Sequence, residues 1–307
     1  MHPALSIIVF TTLSGLGYGL AAMLGLNLLD PGAVATKVGH LLALALIAAG
    51  LLSSTLHLGN PQRAWRALSQ WRSSWLSREG VLALLTFVPL LISAWASVID
   101  GRYLAVPGLL GAAGAIATVY CTSMIYASLK SVDAWHTSLT TVCYLLFALS
   151  GGLLIVTFLA ILSANLETSS IAFAAFLATA AAWCAKIAWR RRLRSVPPTS
   201  TPETATGLGH IGRVRLLEAP HMTQNYLTRE MGFKVARKHA DKLFSIALLV
   251  GGLLPAILSL AVILIGAGLS ASIFALLGIA CHLLGILAER WLFFAEARHA
   301  VMNYYRS

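Results

Sequence analysis

Long runs of apolar residues alternate with short polar connections along almost the whole chain. Each run has about 20 apolar residues, the length that a helix needs to cross the hydrocarbon core of a bilayer. The runs are continuous rather than alternately apolar and polar, which predicts helices rather than the strands of a barrel. We therefore predict an all-α integral membrane protein, with residues 1–307 forming a single bundle of about eight transmembrane helices. The predicted spans lie at roughly 5–28, 38–57, 80–98, 104–129, 139–163, 170–189, 243–267 and 270–292.

The composition supports a membrane protein and narrows its partners. The chain is 58% hydrophobic and only 11% charged, which lies outside the range of soluble proteins. Its net charge of +11 could suggest nucleic-acid binding, but the basic residues occupy connections between apolar runs, where membrane topology explains them. We therefore expect membrane lipid and no nucleic acid among its partners. The first apolar run is too long for a signal-peptide core, so we interpret it as a retained span.

Small residues inside the apolar runs predict packing rather than chemistry. The four cysteines occur singly, without the paired spacing of a disulfide or a metal site, so we expect core residues and no bound metal. Clustered glycines in the first and fourth spans suit close contact between helices. The cysteines are Cys121, Cys143, Cys184 and Cys281, and the glycines are Gly15, Gly17, Gly19, Gly111 and Gly114.

The basic residues are distributed unequally between the two sides of the membrane. With eight spans, both termini lie on one side, together with 20 of the 22 lysines and arginines. The opposite side keeps only Lys37 and Arg102. Positively charged loops remain in the cytoplasm, so we predict a multi-pass protein of the bacterial inner membrane with both termini cytoplasmic. We call the side with the 20 basic residues the basic face.

The segment Ser54–Gly80 carries the densest polar chemistry of the chain and lies at the basic face. Gly59, Asn60 and Pro61 end the second span, with Asn60 as a candidate N-cap and Pro61 at the first position of a new helix. From there the spacing predicts a short amphipathic helix along the membrane interface. One face of that helix carries Ala64, Leu68, Trp71 and Trp75, and the other carries Gln62, Arg66, Ser69, Ser73 and Ser77.

Four polar side chains are predicted to converge at similar depth near the basic face: His57, Arg63, Glu79 and Tyr126. Ionisable groups near membrane depth are expensive and usually belong to a site or a pathway. A histidine, an arginine, a tyrosine and a carboxylate suit a quinone, which needs hydrogen-bond donors at its oxygens and a route for protons. A cluster of side chains that snorkel to the interface explains the same residues without a ligand.

The motif LHLGNPQRAW, followed by SWLSREG, resembles the DmsC-like membrane-anchor subunits of dimethyl sulfoxide reductases, and the likeness extends over essentially the whole chain. The resemblance implies an anchor that exchanges electrons between a quinone, either ubiquinone or menaquinone, and a molybdopterin catalytic subunit, through an iron–sulfur subunit. It implies no catalytic centre for the sulfur substrate in this chain and no haem. The quinone-binding residues that it implies are His57, Gly59, Arg63, Glu79 and Tyr126.

The charge asymmetry predicts an orientation in the membrane that differs from that of the best-known members of that family, whose catalytic subunits face the periplasm. The basic face here is predicted to be cytoplasmic, and the N-terminus and the long basic sixth connection look more like the anchors of cytoplasmic sulfite dehydrogenases. We therefore expect sulfite oxidation with electrons delivered to quinone. A quinol-oxidising anchor of a dimethyl sulfoxide reductase or another terminal reductase is the alternative.

The connection at residues 190–242 is the one long segment outside the membrane, and we predict that it docks a partner in the cytoplasm, with lipid headgroups as the alternative. It begins RRRLRSVPPTSTPETATG and ends LTREMGFKVARKHADK, which predicts a basic amphipathic helix. The arginines predicted to contact the partner are Arg66, Arg72, Arg78, Arg190, Arg191 and Arg192.

Two other function classes remain open from the residues alone. A cytochrome-type anchor would hold haem b through histidines inside spans, and His282 is the best-placed candidate, with His40 and His136 further from the middle of a span. A transporter would require buried charges near the membrane midplane and interrupted spans. Acidic residues lie mainly at span ends, which disfavours the transporter.

Overall fold

The computed structural model describes residues 4–56, 60–195, 197, 200–215, 217–218 and 239–305. Within these ranges, eight helices are long and apolar enough to cross a membrane, and there is no strand. The prediction of an all-α bundle of eight spans is confirmed. The helices are α1 (Leu5–Gly25), α2 (Val34–Thr55), α3 (Trp75–Val98), α4 (Ala105–Ala127), α5 (Ser138–Leu162), α6 (Thr168–Ser195), α7 (Ala240–Ile265) and α8 (Leu269–Ala295).

The helices alternate in direction, so the ends of α2, α4, α6 and α8 and the starts of α1, α3, α5 and α7 lie at the basic face. Helix α1 is mostly buried and packs against α2, α4 and α5. Helix α3 covers α4, while α6 covers α5, and α7 and α8 pack together beside them. The core of the bundle is therefore built around α1 and α5.

Glycines set how closely the helices approach α1. A Cβ atom at Gly17 would lie 2.8 Å from the backbone nitrogen of Ile47 in α2, and one at Gly19 would overlap the carbonyl oxygen of Ala148 in α5. Their predicted packing role is confirmed, and Gly111 and Gly114 similarly accommodate α3. The prediction is wrong for Gly15, because a Cβ atom there would have no neighbour within 4 Å.

The connection after α2 is not the single amphipathic helix that we predicted. A 3-10 helix covers Pro61–Leu68, with Pro61 at its start as expected, and turns separate it from α3. The hydroxyl group of Ser69 donates to the Arg66 carbonyl, a local bond that competes with helix continuation. Ser77 consequently belongs to the first turn of α3, where it is buried rather than on an exposed polar face.

Helix α7 contains a π-helical segment, Leu249–Leu253, near the middle of the bundle. The Gly251 carbonyl accepts a hydrogen bond from Trp183 Nε1 of α6 at 2.9 Å, and His282 Nδ1 of α8 lies 3.2 Å from the same oxygen. Local π-helical geometry interrupts the regular bonding of an α-helix, which leaves such a carbonyl available to neighbours. This oxygen therefore joins three helices at one point.

The part of the long connection that directly follows α6 in the chain contains regular secondary structure. Helix α6 continues to Ser195, and a short helix, Pro202–Thr206, follows with a capping box between Thr201 and Thr204. Most of the predicted amphipathic helix lies outside the described residues, and its last residues, from Ala240, begin α7.

Exchanging glycine for alanine at two positions of α1 tests this packing. We expect Gly19→Ala to lower the free energy of unfolding by about 1–3 kcal/mol, because its methyl group overlaps α5. Gly15→Ala should be neutral or slightly stabilising, since alanine favours helix and meets open space there. The apparent Tm of the detergent-solubilised protein measures both. Equal Tm values for the two variants would contradict the close α1–α5 contact.

Candidate functional site

The residues predicted to bind a quinone do not all lie together. His57 and Gly59 are outside the described residues. Arg63 is exposed on the 3-10 helix, whereas Glu79 and Tyr126 are buried inside the bundle. Glu79 and Tyr126 therefore lie inside the half of the bundle nearer the basic face, whereas Arg63 lies at the surface.

Glu79 carries a carboxyl group that is buried in the second turn of α3, with only 4% of its surface exposed. Its Oε1 atom accepts a hydrogen bond from the hydroxyl group of Thr122 in α4. A buried carboxyl group that is held by one hydroxyl group is suited to exchange protons with a neighbouring ligand.

Tyr126 lies in a cluster of aromatic rings at the basic-face end of the bundle. Its ring stacks on Tyr144 with centroids 5.8 Å apart, and it meets Trp135 edge to face at 5.2 Å. Trp135 Nε1 in turn donates to the Phe293 carbonyl at 3.0 Å, which ties α8 to the connection before α5. We call the five rings of Tyr126, Trp135, Tyr144, Phe293 and Phe294 the aromatic cluster. A direct bond from Tyr126 to a ligand stays a prediction.

The segment after α2 presents arginines stacked on tryptophan rings at the basic face. Trp65 and Trp71 are 65% and 53% exposed and lie outside the membrane-spanning helices. Arg78 also donates to the Trp71 carbonyl at 2.9 Å and so holds the turn before α3. Exposed tryptophan and arginine are enriched where proteins bind one another. The stacked pairs, which we call the basic aromatic patch, are Arg66 on Trp65, Arg72 on Trp71 and Arg78 on Trp75.

The three arginines at the end of α6 have different surroundings. Arg190 is buried and pairs with Glu296 at 2.8 Å and Asp241 at 3.0 Å, so it holds helices together and is not the surface contact that we predicted. Arg192 donates to backbone carbonyls in the connection before α5. Arg191 is exposed. Docking through Arg191 and Arg192 stays a prediction.

Sequence reasoning did not identify the buried ion pair between Lys186 and Glu289. Lys186 Nζ of α6 lies 2.6 Å from Glu289 Oε1 of α8, and both side chains are 1% exposed. Arg290 Nη1 lies 3.5 Å from the other carboxylate oxygen, Oε2. A signal existed, because Lys186 and Arg190 are spaced four residues apart and Glu289 and Glu296 seven apart, which places each pair on one helix face. We call Lys186, Glu289 and Arg290 the buried ion cluster.

Aromatic rings surround the two cations of the buried ion cluster. The Lys186 ammonium group lies 3.6 Å from the ring centroid of Trp189, and the Arg290 guanidinium group lies 3.7 Å from that of Tyr144. Contacts of this kind contribute up to about 2 kcal/mol when they are shielded from water. The cluster carries one more positive than negative charge, which creates a positive potential inside the bundle.

Two neighbouring cavities lie inside the bundle, and Arg290 of the buried ion cluster lines one of them. A polar cavity of about 10 Å³ opens between α1, α4, α5 and α8. An apolar pocket of about 190 Å³ lies between α1, α4 and α5. Val119 and Ala148 line both spaces. The polar side chains along the small cavity are Thr11, Thr12, Ser14, Thr122, Tyr144 and Arg290.

The haem alternative rested on His282, which is buried in α8. Its Nδ1 atom contacts the Gly251 carbonyl, and a Cβ atom at Gly151 of α5 would lie 3.4 Å from its Nε2 atom. A haem at Nε2 would have to separate helices that are in contact. Haem binding through His282 stays an untested alternative that this packing does not favour.

Comparison with known proteins gives two matches that agree with this architecture. Residues 1–208 match the family described as DMSO reductase anchor subunit (DmsC). The chain is also similar to the C subunit of the sulfite dehydrogenase of Allochromatium vinosum, with 34% identity over 100% of this chain and 99% of that protein.

Substitutions in the buried ion cluster should have unequal effects. Glu289→Gln leaves two buried cations without their shared carboxylate, so we expect a loss of about 3–5 kcal/mol in the free energy of unfolding. Lys186→Met should have a smaller effect, because Arg290 still neutralises Glu289. Denaturant or thermal unfolding in detergent measures both variants.

The exposed pair of Asp100 and Arg102 provides the control, and Asp100→Asn should change stability by no more than about 1 kcal/mol. A larger loss for Lys186→Met than for Glu289→Gln would show that Glu289 does not serve both cations.

Proposed function

The chain belongs to the DMSO reductase anchor subunit (DmsC) family, and on this premise we propose that it is the quinone-reactive anchor of a molybdopterin and iron–sulfur oxidoreductase. In this proposal the chain anchors the complex in the inner membrane and passes electrons between the iron–sulfur subunit and a quinone. It contributes no residue to the chemistry of the sulfur substrate, which belongs to the molybdopterin subunit.

The observation that carries the quinone proposal is the buried carboxyl group of Glu79. Glu79 and Glu289 are the only buried acidic side chains among the described residues, and Glu289 already forms an ion pair with Lys186. An acidic group inside a membrane protein is costly unless it has a function or a partner. Reduction of a quinone requires two protons in addition to two electrons, and Glu79 supplies a proton-exchanging group near the basic face.

The other proposed quinone residues lie before Glu79 in the chain, except Tyr126, which is at the basic-face end of α4. His57 and Gly59 precede the 3-10 helix, and His57 offers a second titratable group near neutral pH. Arg63 lies at the surface on the 3-10 helix, and the buried ring of Tyr126 stacks on that of Tyr144. In the proposal, protons and electrons enter through these residues from the basic face and reach the quinone beneath it.

The proposed partner surface combines the basic aromatic patch with Arg191 and Arg192. An iron–sulfur subunit with an acidic surface would complement this charge, which favours its orientation as well as its binding. The aromatic cluster lies at the basic-face end of the bundle and borders the polar cavity through Tyr144, so electrons that reach it would cross a region of closely packed rings. The molybdopterin subunit would bind the iron–sulfur subunit and would not need to contact the membrane.

The proposed reaction is oxidation of sulfite with electrons delivered to quinone. It is supported by the charge asymmetry, which predicts a cytoplasmic docking face, and by similarity to a protein named as the C subunit of a sulfite dehydrogenase. The alternative is quinol oxidation for a dimethyl sulfoxide reductase, which the name of the matching family suggests. The two differ in the direction of electron flow.

Substitution of the proposed proton-exchanging residues should separate quinone chemistry from substrate oxidation. In the purified complex, we expect His57→Ala and Glu79→Gln each to lower quinone-coupled turnover about 100-fold or more, because a general acid or base is lost. Turnover with a soluble artificial acceptor should be unchanged. Glu167→Gln, at an exposed position before α6, is the control and should have no effect. Normal quinone turnover in both variants would contradict the proposed site.

The substrate is tested directly with the complex co-purified from its native membrane. We expect sulfite to reduce an added short-chain quinone, and dimethyl sulfoxide to oxidise the corresponding quinol slowly or not at all. Ultraviolet absorbance of the quinone and quinol follows both reactions. Rapid quinol oxidation by dimethyl sulfoxide without sulfite activity would establish the alternative direction.

A further inference from the structure

We propose that the apolar pocket and the polar cavity together form the binding site of a quinone headgroup, with the ring in the pocket and one oxygen in the cavity. This inference rests on the proposed function and names the place where the quinone binds. It assigns binding to α1, α4, α5 and α8, whereas the sequence pattern pointed to the segment Ser54–Gly80 and to Tyr126.

Unsatisfied hydrogen-bond donors point to an oxygen ligand in the polar cavity. Thr12, Tyr144 and Arg290 line the cavity, and each is at least 97% buried. The Thr12 Oγ1, Tyr144 hydroxyl and Arg290 Nε atoms have no hydrogen-bond partner among the described residues. Buried polar groups are almost always bonded, so three unpartnered groups on one cavity indicate a bound water or ligand. All three can donate, which suits the carbonyl oxygen of a quinone.

The volumes of the two spaces determine how a quinone would be placed. The polar cavity, at about 10 Å³, accommodates a single water molecule or one ligand oxygen and excludes a ring. The apolar pocket, at about 190 Å³, provides the larger volume that a substituted six-membered ring needs. Because Val119 and Ala148 line both, a ring in the pocket can direct one oxygen into the cavity.

The buried ion cluster gives this site a positive potential. Lys186 and Arg290 share a single carboxylate, and Arg290 lines the cavity directly. Negative charge develops on the oxygens when a quinone accepts an electron, and preorganised donors in a low dielectric favour that state. The site is therefore more complementary to a quinone that is being reduced than to a quinol, which needs acceptors at both hydroxyl groups.

The opposite wall of the cavity supplies a route for a proton. Thr122 lines the cavity and is bonded to Glu79, so its hydroxyl group connects the carboxyl group to the ligand oxygen. Reduction of one quinone takes two electrons from the iron–sulfur subunit and two protons that originate in water. In one proton transfer, Glu79 in its acid form gives its O–H proton to Thr122 Oγ1, and the Thr122 O–H proton moves to the quinone oxygen. Solvent water then returns a proton to Glu79. The Thr122 hydroxyl group, which donates to Glu79 in the structure, turns towards the ligand for this step.

The apolar pocket reaches the lipid between α4 and α5. Ile116 of α4 lines the pocket and is 53% exposed, and Leu145 and Leu149 of α5 line it and are half-buried. A quinone from the bilayer can enter here while its isoprenoid tail remains in lipid. The route requires no passage through the basic face, which the proposed partner subunit would cover.

Photoaffinity labelling locates the site without relying on turnover. The probe is an azido derivative of a decyl-benzoquinone, applied to the purified complex with and without excess unmodified decyl-benzoquinone. We expect competed labelling in α1, α4 or α5. Ala22→Leu, which fills the apolar pocket, should lower that labelling at least fivefold. Ala35→Leu is the matched control and should leave the labelling unchanged. It narrows a lipid-facing groove of about 490 Å³ between α1, α2, α5 and α8, at the end of that groove away from the basic face.

Removing single hydroxyl groups tests the donors with little change in packing. We expect Tyr144→Phe and Thr12→Val each to raise the KM for decyl-benzoquinone about 3- to 10-fold, the effect of losing one hydrogen bond. Turnover with a soluble acceptor should stay constant. Thr157→Val removes a buried hydroxyl group that donates to the Leu153 carbonyl outside the cavity, and it should leave KM unchanged.

The outcomes separate this inference from the proposed function. Competed labelling within residues 54–80, with normal KM in the Tyr144 and Thr12 variants, would overturn the inner site and leave a quinone-reactive anchor. Absence of any competed labelling, together with absence of quinone turnover in the unmodified complex, would overturn both. Labelling in α1, α4 or α5 that is lost in Ala22→Leu and kept in Ala35→Leu supports the inner site.

Discussion

A single carboxylate, Glu289, neutralises charge on two cations inside the membrane, and the surrounding architecture depends on this interaction. Lys186 approaches it from α6, and Arg290 is its neighbour on α8. Charged groups at this depth lose their hydration, so helices that moved apart would expose unpaired charges to lipid. The pairing therefore fixes α6 against α8 and directs Arg290 towards the cavity beside α5. The outer pairs of Arg190 with Glu296 and Asp241 continue the same contact towards the surface.

The arrangement separates the proposed docking surface from the proposed ligand site. Exposed tryptophans and arginines lie on the segment after α2, whereas the cavities lie inside the bundle. Such a separation suits an anchor subunit, because the partner can bind on one side while a lipid-soluble ligand enters from the bilayer. It also explains why Arg63, exposed on the 3-10 helix, and Glu79, buried in α3, do not occupy the same place despite their closeness in the chain.

The positions of the spans could be predicted because length and hydropathy alone decide whether a helix can cross a bilayer. The ends were less accurate, since polar residues beyond the hydrocarbon core can continue a helix. Helix α3 begins at Trp75 rather than near residue 80, and α6 extends to Ser195. The amphipathic pattern after Pro61 correctly predicted a surface segment but wrongly predicted one regular helix. Hydroxyl groups and Arg78 donate to local carbonyls there and stabilise turns instead.

The sequence by itself determined the membrane class, the number of spans, the basic face and the family motif, because each depends on composition or on residues that are close in the chain. Only the tertiary structure decided that Gly15 borders open space, that Arg190 is internal, and that Lys186 meets Glu289. Those contacts join residues from helices that are distant in sequence, and nothing in one helix specifies its partner's rotation. The polar cavity is the strongest case, since its unpartnered donors come from α1, α5 and α8 and become a site only when these helices pack together.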